Sequence, residues 1–460
     1  MAEPVSVQSA PTRAVLRSLI DLSWPIVLAR ATQSVIGFSD ALFVAPLGET
    51  DLAATTTGAL NAFAAIVLPM GTVFIVQSFV AQLRGREELD SVHRYAWYGL
   101  ALALAAGLVA GAAVPLVPWL LSKARYEAAV HRAMSTYLAI RLLSVGPAVG
   151  IEALGNYYGG LGNTRPSLVA GLVAMVVNVA GCYALVMPRF GLSGFGVAGA
   201  AWASVIGSTT GFAVIAVPFL AEQRRARREG PLGLRAGELL RVLRFGLPNG
   251  VNWFLEFAAF ALFINVVVAH LGTTVLAAFN VVMQLNSVSF MPAFGLASGG
   301  AILVGEAIGR RADREVWPIV RLTGIVAGVW MLSVGLVYAA APRFLMGLFA
   351  RQDAEIALSE VGVSMLAFAA FWQLFDAINM TVGEALRAAG DTTWCMAARI
   401  VLAWLVFTPA AWTAVLVLGG GVPTIMTAMI LYVAAVALTL AARLASGRWK
   451  SINLVRAEPS

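Results

Sequence analysis

The sequence predicts an all-α membrane protein of twelve transmembrane helices, arranged as two six-helix bundles related by pseudo-two-fold symmetry. Three observations carry this reading: a composition that a water-facing surface cannot absorb, twelve apolar runs of spanning length, and an internal repeat that divides the runs six and six. Hydrophobic residues make up 60% of the 460 positions and charged residues 12%. An average soluble domain is roughly 25% charged, so lipid must be the solvent for most of this chain.

A bilayer core of about 30 Å is crossed by about 20 helical residues. On that template the runs fall at 20–47, 52–82, 95–122, 133–160, 165–190 and 195–220, then at 243–271, 276–309, 316–341, 359–388, 392–418 and 422–443. Several exceed a straight span, which fits tilted helices or ends that project into water. Residues 1–12 are polar and lack a basic patch followed by a short apolar stretch and a small-residue cleavage site, so the first membrane helix is expected to be the targeting element.

The segments between runs set an orientation. With the N-terminus in the cytoplasm, inside segments hold 22 of the 31 Lys and Arg, among them Arg224, Arg225, Arg227 and Arg228, and Arg310, Arg311 and Arg314. Outside loops hold Lys123, Arg125, Arg132, Arg189, Arg343 and Arg351, and three arginines, Arg30, Arg141 and Arg399, lie within apolar runs. This asymmetry obeys the positive-inside rule for an inner-membrane protein with both termini cytoplasmic. The basic residues are scattered among short segments and form no contiguous domain, so the net charge of +7 marks topology and not nucleic-acid binding.

The halves repeat at an offset of 224 residues: Leu47-Gly48 with Leu271-Gly272, Leu52-Ala53-Ala54 with Leu276-Ala277-Ala278, Gly85-Arg86 with Gly309-Arg310, and Gly159 with Gly383. Pro25 and Pro248 match within one residue, and Gly162-Asn163-Thr164 corresponds to Gly390-Asp391-Thr392 at a slightly larger offset. Six helices return the chain to the side on which it started, so the repeats are parallel, about an axis along the membrane normal. The expected organisation is a cytoplasmic tail over 1–18, a first bundle over 19–221, a basic cytoplasmic linker over 222–242, a second bundle over 243–443 and a tail over 444–460. By analogy with other duplicated transporters, two such bundles enclose a cleft that rocking exposes to each side in turn.

An ionisable residue inside a span costs roughly 2.5 to 3.5 kcal/mol on insertion scales, so each one needs a reason. Asp40 lies deep in the first run on one helical face with Gln33 and Gly37. Glu256 stands near the middle of the seventh, flanked by Trp253, Phe257 and Phe260. Asp376 shares a face of the tenth with Trp372 and Asn379, a combination suited to a flat apolar cation. The blander reading is that each acid pairs with Arg30, Arg141 or Arg399 and merely ties helices together.

Glu152, at the repeat equivalent of Asp376, either marks a matching functional position or simply faces the cytoplasmic vestibule. Glu306 and Glu384, close to Arg310, Arg311 and Arg387 at the cytoplasmic ends of their runs, can reach headgroups or pair, with solvated ends as the default expectation. His93, His131 and His270 make no metal-ligand spacing with one another or with the cysteines. Cys182 and Cys395, in separate apolar runs, read as small buried hydrophobes and not as a disulfide or metal cluster.

These residues carry a resemblance over about Leu19 to Arg443. Gly37-Phe38-Ser39-Asp40, Pro248 with Phe254-Leu255-Glu256, Phe375-Asp376 with Leu386-Arg387-Ala388-Ala389-Gly390-Asp391-Thr392, and Gly160-Leu161-Gly162-Asn163-Thr164-Arg165-Pro166 resemble the multidrug and toxic compound extrusion (MATE) family, in its bacterial NorM-type branch. The resemblance implies a secondary antiporter exporting organic, cationic, amphipathic compounds in exchange for Na⁺ or H⁺, with Asp40, Glu256 and Asp376 as the coupling acids and Na⁺ held, if at all, at Glu256 and Asp376. It also implies an N-lobe cation site at Asn178 and Ser204 with Asp40, near Gln33. Cys182, where relatives carry a polar residue, and Ser204, where they carry threonine, depart from the pattern and weigh against that site. Trp253, Phe257, Phe260, Asn280, Gln284, Trp372 and Asn379 are the expected lining of the substrate cavity, although Asn280 and Glu306 replace glutamines common in the family.

The chain lacks a Gly-x-x-x-x-Gly-Lys-Ser/Thr loop, so the coupling ion is the expected energy source and no other cofactor is anticipated. No Ser-His, His-Glu-x-x-His or clustered-acid motif suggests an enzyme. The expected partners are a small organic substrate and the bilayer, with the chain a monomer. The rival function is a flippase for a lipid-linked saccharide, which predicts a cationic cavity served by Arg30, Arg141 and Arg399.

Overall fold

The computed structural model describes residues 12–123, 126–188, 194–226, 233–349 and 355–455. Parts of both tails and of the linker, together with Arg125, Arg189, Arg227, Arg228 and Arg351 of the charge distribution, lie outside the described residues.

Among the described residues twelve helices are long and apolar enough to cross a membrane. In the first half they are α1 (Arg13–Leu47), α2 (Glu49–Gly85), α3 (Leu89–Ser122), α4 (Ala128–Gly160), α5 (Arg165–Leu185) and α6 (Gly196–Arg225). In the second they are α7 (Ala236–Val268), α8 (Thr273–Gly309), α9 (Asp313–Ala340), α10 (Leu358–Ala389), α11 (Thr392–Val417) and α12 (Val422–Ala445). The chain is thus an all-α membrane protein of two six-helix halves. Hydropathy located the spans, but several helices begin earlier than their apolar runs because polar residues continue the helix beyond the lipid-compatible stretch. The first, third and seventh each start six or seven residues before the run.

The repeat is visible in the backbone. Gly48 and Gly272 precede α2 and α8 with φ of 124° and 103°, a region that side-chain-bearing residues avoid, so glycine makes the same sharp entry in both halves. The halves also differ. The end of α7 over Phe263–Val268, and two stretches of α11 over Val401–Phe407 and Thr413–Val417, are wound as π-helix, a form that often accompanies functional sites.

The chain forms two compact units. One comprises Leu28–Gly250; the other comprises Val251 onward together with the first part of α1, through Val27. Two helices therefore contribute to both units, and each changes unit two residues after a repeat-related proline, Pro25 or Pro248. In the first unit the start of α7 packs on α2: Asn249 Nδ2 donates to the Gly71 carbonyl at 2.7 Å, and a Cβ on Gly71 would come within 2.8 Å of the Gly250 Cα. In the second, Ser23 and Val27 of α1 lie against Gly299 and Gly295 of α8. Small residues allow this approach, which drives helix association in lipid where the hydrophobic effect cannot.

The main core of the second unit gathers Phe263, Phe279, Met365, Trp372 and Phe407. A second cluster of that unit includes Leu386, Leu440 and Trp449, so the segment after α12 folds back onto its bundle. In the first unit, Val44, Tyr137, Cys182 and Ala200 pack together around the polar group described next.

Candidate functional site

Asp40 occupies the last turns of α1, yet it is only 3% exposed. Its carboxylate is enclosed by neutral donors from three other helices. Asn178 Nδ2 and Cys182 Sγ of α5, one turn apart on the same face, donate to Oδ1 at 3.0 and 3.2 Å. Ser204 Oγ of α6 donates to Oδ2 at 2.8 Å, and the Tyr137 hydroxyl of α4 reaches Oδ2 at 3.4 Å. Ser39 Oγ donates to Asn178 Oδ1 at 2.9 Å, which turns the amide so that its NH₂ faces the acid and Ser204. Bonds to an ionised acceptor are stronger than neutral ones, so the cluster holds a carboxylate that forms no ion pair among the described residues, with Arg141 reaching the cluster through Tyr137. Asp40, Asn178 and Ser204 are therefore together, and Cys182 completes the shell instead of interrupting it. Gln33 points elsewhere, donating to Glu152 at 3.3 Å.

In the second unit Glu256 of α7 meets Arg399 of α11. One guanidinium nitrogen, Nη1, lies 3.0 Å from each carboxylate oxygen, and Nη2 donates to Asn379 Oδ1 of α10 at 2.8 Å. The Tyr432 hydroxyl of α12 lies beside the same carboxylate. Gly383, one turn after Asn379, leaves room for the guanidinium: a Cβ there would stand 3.0 Å from Nη2. Asp376 lies near both Glu256 and Arg399 and next to Asn379, but among the described residues it forms no ion pair. The pairing anticipated as the bland alternative thus holds for Glu256, and for neither aspartate.

Arg30 of α1 and Glu152 of α4 form a two-pronged ion pair, Nη1 to Oε1 at 2.7 Å and Nη2 to Oε2 at 2.9 Å. Their side chains are 11% and 9% exposed, so Glu152 does not face a solvated vestibule. Glu306 and Glu384 need the same correction: at 5% and 8% exposure they are buried. Glu306 accepts from Arg310, and Glu384 from Arg387. Carboxylates so enclosed are poorly hydrated, and the arginine one turn on that each was expected to have within reach supplies the counter-charge. His93 joins three helices of the first unit through Tyr157 and Gln223, both meeting its Nδ1.

Among the expected cavity residues, Asn280 and Gln284 are exposed one turn apart on α8. Trp253 and Phe257 are half-buried, the former edge-on to Phe294 with centroids 6.2 Å apart. Phe260 packs on the core between Phe263 and Phe279. Trp372 departs from its expected role. It is 2% exposed inside that core, and its indole N–H reaches Asn286 Oδ1, because α10 turns this face toward α8 and not toward open space. Asn286, with Gln373 donating to it at 3.0 Å, is a polar core network that the sequence reading passed over. The signal available was a pair of amides within apolar runs.

The sequence profile of the MatE family matches residues 25–184 and 250–413. A probable multidrug resistance protein NorM of Deinococcus radiodurans is 30% identical over 86% of this chain and 87% of its own length. Multidrug resistance protein PmpM of Pseudomonas aeruginosa is 28% identical over 87% of this chain and 84% of its own. The fold is that of a solved multidrug resistance MATE family transporter in its outward-facing conformation, with a TM-score of 0.85 at 17% identity, covering 98% of this chain and 100% of that one.

Proposed function

We propose that this chain, which belongs to the MatE family, is an inner-membrane secondary antiporter that exports organic, cationic, amphipathic compounds in exchange for Na⁺ or H⁺. The observation that carries the reading is a carboxylate without an ionic partner among the described residues within a membrane span of each half, Asp40 in α1 and Asp376 in α10. Such a group is costly in lipid and persists where it binds and releases a cation.

Asp40, Glu256 and Asp376 are the coupling acids of this proposal. Asn178 and Ser204 support the first, and Trp253, Phe257, Phe260, Asn280, Gln284 and Asn379 contact substrate. The two repeats, 19–221 and 243–443, are the bodies whose movement changes access, with both termini cytoplasmic and the chain a monomer. Coupling requires that cation and substrate each weaken the other's binding in a state they share. A ligand that bound all states equally would move nothing.

The multidrug resistance names of the relatives support the substrate class. The flippase alternative is disfavoured by charge: of Arg30, Arg141 and Arg399, which would have had to hold a pyrophosphate, the first and third are engaged by Glu152 and Glu256, and Arg141 donates to Ser144. The test is ethidium efflux from proteoliposomes under imposed Na⁺ or pH gradients. One gradient drives efflux in the parent, and Asp376→Asn loses it while remaining folded. Equal efflux with no gradient, or unchanged coupling in Asp376→Asn, contradicts the reading.

A further inference from the structure

In each half an Arg–Glu pair between two spanning helices accompanies an aspartate that lacks an ionic partner among the described residues: Arg30–Glu152 with Asp40, and Arg399–Glu256 with Asp376. We propose that Arg399 is a tethered counter-cation that keeps Glu256 occupied, so that Asp376 alone accepts the coupling ion in the second half and Arg399 sets how many ions move per cycle. The inference rests on the antiporter reading and departs from it at one residue: Glu256, named above among the coupling acids, serves as the holder of Arg399 and takes no ion while Arg399 is present.

The geometry supports the assignment on three counts. First, Arg399 addresses both oxygens of Glu256 at 3.0 Å, and an added cation at that carboxylate would have to displace a guanidinium or sit against it at like-charge distance. Guanidinium does not deprotonate in proteins, so the occupancy does not lapse with pH. Second, the arginine is held from two sides: Asn379 accepts from Nη2, and Gly383 provides the gap into which the guanidinium fits. Third, the charges sum to one unpaired negative. The groups near Asp376 include Glu256, Arg399, Asn379 and Tyr432, and those near Arg399 include Tyr432 and Cys395, both neutral when protonated.

Arg399 is thus a positioning residue, and the consequences of mutation differ from those of a shared two-carboxylate site. Neutralising Glu256 alone releases the guanidinium, which takes Asp376 as its new partner and blocks it. Neutralising Glu256 and Arg399 together removes the intruder along with its holder, and Asp376 is free again.

The experiment is ethidium transport in proteoliposomes, with the ion-to-ethidium ratio read from the membrane potential at which an imposed ion gradient balances an ethidium gradient. The expected result is that Glu256→Gln slows coupled efflux by at least about tenfold, whereas Glu256→Gln/Arg399→Gln returns to within about threefold of the parent, because orphaning Arg399, the more enclosed member of the pair, costs more than removing it together with its partner. Arg399→Gln raises the ratio by one ion, since Glu256 becomes available, and Arg399→Lys keeps the parental ratio. A double variant that is monodisperse and binds ethidium yet is as slow as Glu256→Gln overturns the inference, and so does an unchanged ratio in Arg399→Gln, which serves if the double variant misfolds. A parent that moves ethidium under neither gradient overturns the antiporter reading itself; a coupled parent with an inactive double variant overturns only the role given to Arg399.

Discussion

Glu87 and Arg311 are the two non-glycine residues with positive φ in the described chain, at 64° and 59°, and they stand at equivalent positions of the repeat, 224 residues apart. Each lies just past the C-terminal end of a long helix, α2 or α8, and each side chain is exposed. The left-handed conformation costs a side-chain-bearing residue roughly 1–2 kcal/mol, so the turn geometry itself has been kept in both halves. Glu87→Gly and Arg311→Gly should leave stability unchanged or raise it by up to about 1 kcal/mol. Glu87→Val and Arg311→Val should lower it by about 1–2 kcal/mol. Thermal unfolding in detergent measures both, and a valine variant as stable as the parent would refute the strain argument.

The Arg30–Glu152 pair should behave as a coupled unit. Arg30→Gln and Glu152→Gln each leave a buried charge, and each should destabilise more than the double substitution does, with a coupling energy of about 1–3 kcal/mol. Additive losses across the four proteins would mean that the two side chains do not depend on each other.

Cys182 separates a donor role from a packing role. Cys182→Ser keeps a donor for Asp40 and should retain cation-driven efflux, while Cys182→Ala leaves the carboxylate one bond short and should cost about 1 kcal/mol of stability. In the folded protein Cys182, fully buried, should resist a maleimide that reaches it after denaturation. Fast labelling of the native protein would contradict the closed shell.

Trp372 and Gln284 are predicted to affect different quantities. Trp372→Phe loses the bond to Asn286 and some packing, so melting temperature should fall while the substrate range is kept. Gln284→Ala, at an exposed position on α8, should alter apparent ethidium affinity with little effect on stability. Affinity measurements that reverse these two outcomes would place Trp372 in the substrate cavity after all.

The spans were legible because hydropathy is a local property: lipid selects each helix by its own composition, whatever its neighbours do. The repeat was legible for a related reason, since Gly48 and Gly272 stand where a sharp backbone turn leaves no other good choice. The three acids were legible as exceptions, because a charge in an apolar run is conspicuous by itself. Cys182 was read from its deviation alone and therefore seemed to break a site; its thiol, pointing at Asp40, fills the vacant donor place instead.

By itself, then, the sequence determined the number of spans, the two-fold repetition and which residues carry charge into the membrane. Tertiary structure alone decided their partners. Glu256 is bound by Arg399, 143 positions away, and Asp376 is not; Glu152 takes Arg30 and is shielded; Trp372 turns into the core. These outcomes depend on the rotation of each helix about its axis and on which small residues let two backbones approach. Both are set by packing between segments far apart in the chain, which composition and periodicity along one helix do not encode.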